Sequence, residues 1–299
     1  MLNMAEGLAR LGELAASPVV ARLADAFADA GFELAVVGGP VRDALLGRKT
    51  NDLDFATNAH PDDILRIVTP LSTAQWDIGR AFGTIGARVA GEQVEITTYR
   101  ADSYDGLTRK PVVAFGDALE GDLARRDFTL NAMALRVPGP LLVDPTGGVE
   151  DLVATRLRTP IDPDVSFGDD PLRMLRAARF AAQLSFEVGP EPVTAMGRLR
   201  DTLSIVSPER VQAELVRLLS ADDPVRGLRL LVDTGLMDLF LPEVPALRLE
   251  VDEHHHHKDV YEHSLTVLRQ AIALEKQRFA DTAPDITLRL AALLHDIGK

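Results

Sequence analysis

Cysteine is absent from the 299-residue chain. Disulfides, thiolate metal centres and cysteine nucleophiles are thereby excluded, and the expected compartment is the cytoplasm. Nor is there an apolar run of the roughly 20 residues that a bilayer-spanning helix requires, so no membrane role is expected. The opening segment intersperses Glu6, Arg10, Glu13, Arg22 and Asp25 among apolar side chains, which reads as two amphipathic helices and not as a signal peptide. Internal repeats are missing, and low complexity is confined to the histidine run at 254–257. A basic excess is missing too. The net charge of −13 offers a polyanion no bulk attraction, so any nucleic-acid contact has to come from a local, arginine-lined cleft.

What is present is an ordinary globular composition, 46% apolar, at a length that accommodates two or three domains with sizeable cores. Short apolar stretches at 34–37, 53–56, 84–89, 94–99, 112–115 and 141–143 predict strands, with helical patterns at 41–46, 61–68 and 119–134 between them. Gly91-Glu92 marks a hairpin turn that makes the strands on either side antiparallel. After Asp151 helical spacing takes over: 171–184 with Pro171 in its first turn and Asp169 or Asp170 as cap, 208–219 led by Ser207, and 224–234 ended by Gly235. The expectation is an α+β chain with N-terminal helices (1–30), a head with a mixed or antiparallel sheet (31–150), an all-α segment (151–245) and a further helical segment (246–299).

Gly38-Gly39-Pro40-Val41-Arg42-Asp43 follows the first of these strands, and Asp52-Leu53-Asp54 comes a few residues later. Two glycines after a strand let the backbone approach a ligand closely. A helix opening at Val41 aims free N–H groups and the positive end of its dipole at an anion. Asp52 and Asp54, two apart in a strand, project from one face while Leu53 and Phe55 turn to the other, and hard oxygen ligands held that way suit Mg²⁺. In this order and at this separation the two elements resemble the nucleotidyltransferase superfamily that includes DNA polymerase beta. Within it they resemble the branch of bacterial tRNA nucleotidyltransferases (CCA-adding enzymes) and poly(A) polymerases.

Arg125-Arg126-Asp127-Phe128-Thr129-Leu130-Asn131-Ala132 resembles that family's Arg-Arg-Asp-Phe-Thr-x-Asn-Ala motif. The likeness implies that Arg126 contacts the triphosphate while Asp127 and Asn131 support the site from behind. Asp169-Asp170-Pro171-Leu172-Arg173 resembles the Glu/Asp-Asp-x-x-Arg motif, in which an Asp and an Arg serve as a protein template for the incoming base. On a continuous helix Asp170, Arg173 and Arg176 would step round one face at about 60° intervals, with Arg179 on the far side from Asp170. Such a template has a physical rationale. Cytosine and adenine both present an exocyclic amine donor beside a ring-nitrogen acceptor, which a carboxylate (Asp170) and a guanidinium (Arg173) match. Uracil and guanine present the reverse and would leave buried polar groups unpaired, at about 1–3 kcal/mol each.

Glu95 alternates against Val94 and Ile96 and is the candidate third carboxylate. The stretch 100–117 resembles the loop in which CCA-adding enzymes switch between nucleotides. Ser207-Pro208-Glu209-Arg210-Val211-Gln212-Ala213-Glu214-Leu215 resembles a further family motif and reads as a capped helix that packs the neck, with no chemistry assigned. His263, His295 and Asp296 resemble the start of a His-Asp (HD) metal-hydrolase domain, truncated because a ligand from a later helix would lie past Lys299. The histidine run at 254–257 reads as a solvated loop.

The resemblance spans about residues 34–219. It implies template-independent addition of CCA to the 3′ end of tRNA, with CMP and AMP taken from CTP and ATP and pyrophosphate released. Asp52 and Asp54 would bind two Mg²⁺ ions, and Gly38, Gly39, Arg42 and Arg126 would hold the triphosphate. Asp170 and Arg173 would read the base with support from Arg176 and Arg179. CC-adding enzymes, A-adding enzymes and poly(A) polymerases share these motifs, although the loop at 100–117 leans toward full CCA addition. A hydrolase working through the HD metal is the reading from another class.

Overall fold

The alternation in the first half of the chain resolves into β1 (Leu34–Val37), β2 (Leu53–Thr57), β3 (Ser72–Trp76), β4 (Thr84–Val89), β5 (Glu92–Thr98), β6 (Ala134–Val137) and β7 (Leu141–Val143). They form one sheet in the order β3-β4-β5-β2-β1-β6-β7, in which β2 and β5 run parallel and the remaining neighbours antiparallel. The computed structural model describes residues 3–50, 52–77, 79–100, 116, 118–249, 260–280 and 282–297. These fall into two compact units, Met1–Ala154 with Arg158–Ile161, and Thr155–Leu157 with Asp162–Lys299.

In the first unit the helices are α1 (Met4–Ala15), α2 (Pro18–Asp29), α3 (Gly39–Leu46), α4 (Pro61–Val68), α5 (Leu119–Ala124) and α6 (Gly148–Val153). Strand periodicity divides the sheet into two faces. Leu34, Val36, Leu53, Phe55, Ile85, Ala87, Val94 and Ile96 are buried on one, where α2 and α4 pack. The opposite face is covered in part by α5, whose Leu119 and Leu123 cluster with Ala35, Val37 and Ala56. Its other part carries Asp54, Glu95 and Gly86 in one cross-strand row, set by the pairings Asp54 with Glu95 and Gly86 with Glu95. The β4–β5 turn is Ala90-Gly91, both at positive φ (51° and 88°), as a two-residue hairpin demands.

The helix expected over 119–134 ends at Ala124. Asp127 accounts for this: its Oδ1 accepts the Phe128 N–H at 2.8 Å and the Asn131 side-chain amide at 3.0 Å, a local bonding pattern that competes with helix continuation. Thr129 then donates its N–H to Arg158 O at 2.9 Å and its hydroxyl to the fully buried Asp151 at 2.6 Å. The segment makes one 3₁₀ turn, Thr129–Asn131, and enters β6, a strand hidden inside the helical expectation. Strand β3 was not foreseen either, since Ser-Thr-Ala-Gln-Trp is an irregular edge strand with little apolar signal. The expected strand at 112–115 lies outside the described residues.

Among its described residues the second unit is helical apart from a parallel pair, β8 (Arg156–Leu157) with β9 (Glu187–Val188). Its helices are α7 (Pro163–Asp169), α8 (Leu172–Leu184), α9 (Pro190–Leu199), α10 (Pro208–Leu219), α11 (Val225–Asp233), α12 (Glu243–Ala246), α13 (Val260–Arg278) and α14 (Ile286–Leu294). Helix α8 packs against α10 and α11. Arg289 of α14, 2% exposed, pairs with Glu275 of α13 at 2.8 Å and donates to the carbonyls of Leu219 and Ala221 at the end of α10. That is a guanidinium capping a helix C-terminus.

Trp76, the single tryptophan, lies across from Gly86, and its indole nitrogen occupies the space that a Cβ on residue 86 would need. Gly86→Ala is therefore expected to push the indole off the sheet. The measurements are tryptophan emission, which should shift to the red, and thermal unfolding, which should show a loss of about 1–3 kcal/mol from overpacking. Unchanged emission would show that the ring does not depend on this gap.

Candidate active site

Asp54 sits in β2, and its parallel neighbour Glu95 in β5 projects on the same side; Asp52 immediately precedes β2, two residues back and so on that side as well. The expected arrangement of the two aspartates thus holds, with Asp52 leading into the strand instead of lying within it. Asp52 and Glu95 are exposed and Asp54 is half-buried. Burial, reinforced by Glu95 and Asp52 and partly offset by the nearby Arg126 guanidinium, pushes the Asp54 carboxyl up from 3.8 to about 6. Asp54 and Glu95 side by side on paired strands, with Asp52 close enough to act on Asp54, form an all-oxygen, uncompensated acidic row. This is the donor chemistry that suits a hard divalent cation, although the three carboxylates are not drawn together into one closed ligand cluster.

The wall beside Asp54 is built from Gly38, α3 and Arg126. Gly38 has φ +71° and hands its N–H to Met133 O at 3.1 Å, after which α3 begins at Gly39 with its N-terminus facing out of the strand. The positive φ is what calls for glycine here; a Cβ at residue 38 would stand 2.9 Å from Arg126 Nη1 and would oblige the end of that side chain to shift. Asp122, buried on α5, fixes the arginine: its Oδ2 accepts from Arg126 Nη2 at 3.1 Å while its Oδ1 accepts the Arg100 N–H at 3.3 Å. Arg126 Nε is buried without a hydrogen-bond partner among the described residues. Arg42 lies beside Gly39, gripped by both oxygens of Asp43 at 2.9 Å, and donates Nη1 to Asn131 Oδ1 at 2.6 Å. Asn131 in turn donates to Asp127, so Asp127 and Asn131 brace Arg42 from behind. Asp43 and Asp122 were not singled out from the sequence. Asp122 could have been, because it lies four residues before Arg126, the spacing at which an acid and a base meet along one turn.

The second unit holds the other candidates. Asp170 is not on a helix face: it is extended (φ −142°, ψ 98°) at the joint between α7 and α8, which corrects the picture of an even march from Asp170 to Arg176. Its Oδ1 accepts the Leu172 N–H at 3.2 Å and its Oδ2 pairs with Arg210 at 3.3 Å. Arg173 is buried and donates Nη1 to Ser166 Oγ at 2.8 Å, and Arg179 is buried against Glu214 at 2.6 Å. Arg176 lies 5.7 Å from the Phe180 ring. Glu214 and Arg210 belong to the helix led by Ser207, so this motif fixes α8 in place. His263, His295 and Asp296 also come together, with ligand atoms within 4.8 Å of one another and His295 Nε2 3.3 Å from Asp296. The loop at 100–117 lies almost wholly outside the described residues, and so does the histidine run at 254–257.

A mixed sheet carrying clustered carboxylates beside a glycine-opened helix defines a polymerase-beta-like nucleotidyltransferase head. Residues 34–158 match the family described as poly A polymerase head domain, and residues 185–247 match the one described as probable RNA and SrmB-binding site of polymerase A. The CCA-adding enzyme of Levilactobacillus brevis is 41% identical over 208 residues, 69% of this chain and 51% of that protein. That of Geobacillus stearothermophilus is 38% identical over 213 residues, 71% of this chain and 51% of that protein. The chain thus spans about half the length of the curated relatives it matches. Among solved structures, the Bacillus stearothermophilus CCA-adding enzyme in complex with CTP is similar at TM-score 0.70 and 30% identity, covering 95% of this chain and 72% of that one. The chain belongs to the family of bacterial CCA-adding enzymes and poly(A) polymerases.

The raised Asp54 pKa has a consequence for stability. A carboxyl lifted from 3.8 to about 6 in the folded state costs the fold stability once it ionises, in full above pH 6 and not at all below 3.8. Asp54→Asn is expected to stabilise the metal-free protein above pH 6 by on the order of 2 kcal/mol, seen as a higher melting temperature, with the gain fading as pH falls toward 4. Melting curves across that range, with and without Mg²⁺, check it. A gain independent of pH would mean that charge is not its source.

Proposed function

We propose that the chain adds CCA to the 3′ end of tRNA, taking CMP and AMP from CTP and ATP and releasing pyrophosphate. The observation that carries this reading is the Asp54–Glu95 register with Asp52 alongside, set next to Gly38, the α3 N-terminus and Arg126. The relatives support it: one similar solved structure is a CCA-adding enzyme in complex with CTP, and another, 25% identical, is a tRNA nucleotidyltransferase complexed with a primer tRNA and an incoming ATP analog. Asp52 and Asp54, with Glu95 beside them, would hold Mg²⁺. When bound, the ions supply activation of the tRNA 3′-hydroxyl and neutralise charge on the departing pyrophosphate.

The chain's own residues do the rest. Gly38 and Gly39 open the space into which the triphosphate enters, with the helix dipole and Arg126 meeting its charge. Arg42, held between Asp43 and Asn131, fixes the first turn of α3 against the Asp127 turn. Asp170 and Arg173 read the base, with Arg176 and Arg179 supporting them, and a cytoplasmic location goes with a tRNA substrate. The first unit is then the head, and the second carries the neck and base-recognition helices followed by the start of an HD domain. The clustering of His263, His295 and Asp296 supports that last assignment and a second divalent metal there.

Incubating the protein with tRNA that lacks its 3′ end and each labelled nucleotide tests the activity, since the product ladder separates CCA, CC, A and poly(A) addition. Asp52→Ala and Asp54→Ala are each expected to lower incorporation by about a thousandfold or more while the protein stays folded. Near-normal incorporation by either would remove the catalytic assignment. Asp170→Ala is expected to relax selection against UTP and GTP by roughly tenfold, measured as kcat/KM ratios. Equal slowing with all four nucleotides would leave Asp170 only its bonds to Leu172 and Arg210.

A further inference from the structure

Trp76 is unused by the mechanism above, yet the pairing of the sheet places it on the face that carries the carboxylates. In antiparallel and parallel ladders alike, directly paired residues project to the same side. The pairs Trp76 with Gly86, Gly86 with Glu95, and Glu95 with Asp54 form one unbroken row across β3, β4, β5 and β2. The indole fills the space over Gly86 and so leans along this row toward Glu95. At about 4.8 Å per strand, Gly86 is about 10 Å across the sheet from Asp54. Arg126 and Gly38 flank Asp54 from the opposite direction, because β1, which leads into Gly38, is the other neighbour of β2.

This order gives the row a polarity. In phosphoryl transfer the attacking and leaving oxygens lie roughly in line through the phosphorus. With the triphosphate on the β1 side, under Arg126, the pyrophosphate departs toward β1. The attacking 3′-hydroxyl therefore arrives from the β5–β4–β3 side, where Trp76 stands. A half-buried indole beside the path of an RNA end is a stacking surface, and every base presents a face to stack on it.

We propose that Trp76 is a binding residue for the RNA substrate, its indole stacking on a base at the 3′ end of the strand to be extended. The inference rests on the nucleotidyltransferase reading of the carboxylates and goes beyond it by giving the acceptor strand its own protein contact, separate from the residues that read the incoming base. Because the indole touches the acceptor and not the nucleotide, its loss acts on one substrate only.

The test uses a hairpin RNA with a tRNA acceptor stem and no CCA end. With the wild-type protein, emission from the single tryptophan should change on adding this RNA and stay unchanged with CTP alone. Trp76→Ala should raise KM for the RNA by about tenfold, leaving KM for CTP and ATP within about twofold, and Trp76→Phe should recover most of the loss. A melting curve for each variant separates misfolding from lost contact, and the emission titration needs no variant at all. Unchanged emission with RNA, or equal losses for RNA and nucleotide, would overturn the proposal. A wild-type protein that adds no nucleotide to the hairpin and binds no CTP would instead overturn the reading beneath it.

Discussion

The parallel pairing of β2 with β5 is the constraint on which the head depends. It brings Asp54 and Glu95 side by side, with Asp52 two residues back, and so concentrates negative charge on one patch of sheet. Such a patch opposes folding, since none of the charges helps its neighbours and Asp54 is half-buried. It persists because the same strands bury Leu53, Phe55, Val94 and Ile96 on the reverse face. Each fully buried aliphatic or aromatic side chain contributes about 1.5–3 kcal/mol, more than enough in sum to offset one raised carboxyl. Period-two alternation thus serves both ends at once: one face stabilises the sheet and the other carries the acidic row.

Arg126 shows how narrowly the charges around that patch are balanced. A guanidinium this close to Asp54 has an obvious resting place, on the carboxylate itself, where it would stand in the way of a metal. Asp122 provides a competing anion on the far side, and Gly38 leaves room for the arginine to stay there. The turn that carries Arg126 is pinned independently, by Asp127 on its own backbone and by the buried Asp151 on Thr129. Buried charge of this kind contributes little net stability, because desolvation consumes the Coulomb gain. Its effect is on geometry, holding the Arg126 guanidinium on Asp122.

The strands with alternating or continuous apolar residues were legible in the sequence, as were the glycine-opened α3 and the paired aspartates. Helices α4 and α10 match their expected spans of 61–68 and 208–219. What escaped reading has physical reasons. Over 119–134 the apolar spacing fits a helix as far as residue periodicity goes, but Asp127 spends its carboxylate on the neighbouring N–H and Asn131, and periodicity does not register that competition. β3 draws its stability from an edge pairing and from Trp76 over Gly86, a contact between residues ten apart that composition does not display. Asp43 stayed anonymous because acids next to arginines are common and only the fold shows which of them hold an arginine at the site, whereas Asp122 carried a usable signal in its four-residue spacing from Arg126.

The second unit is held together by polar bonds between its helices. Asp170 leaves the helix: at the joint before α8 its two carboxylate oxygens are directed separately, one onto the Leu172 N–H and the other toward Arg210. Helix α10 then secures α8 along its length, through Arg210 to Asp170, Glu214 to Arg179 and the Arg217 carbonyl to Gln183. The spacing of 210, 214 and 217 keeps these groups on one face of α10. The Arg179–Glu214 pair is the deepest of them, and breaking a buried pair leaves an uncompensated charge, a cost of about 3–5 kcal/mol that makes sliding of one helix past the other unfavourable. Arg173, buried at the start of α8, donates to both the carbonyl and the hydroxyl of Ser166 in α7, so α8 is held by α7 at its first turn and by α10 along its length.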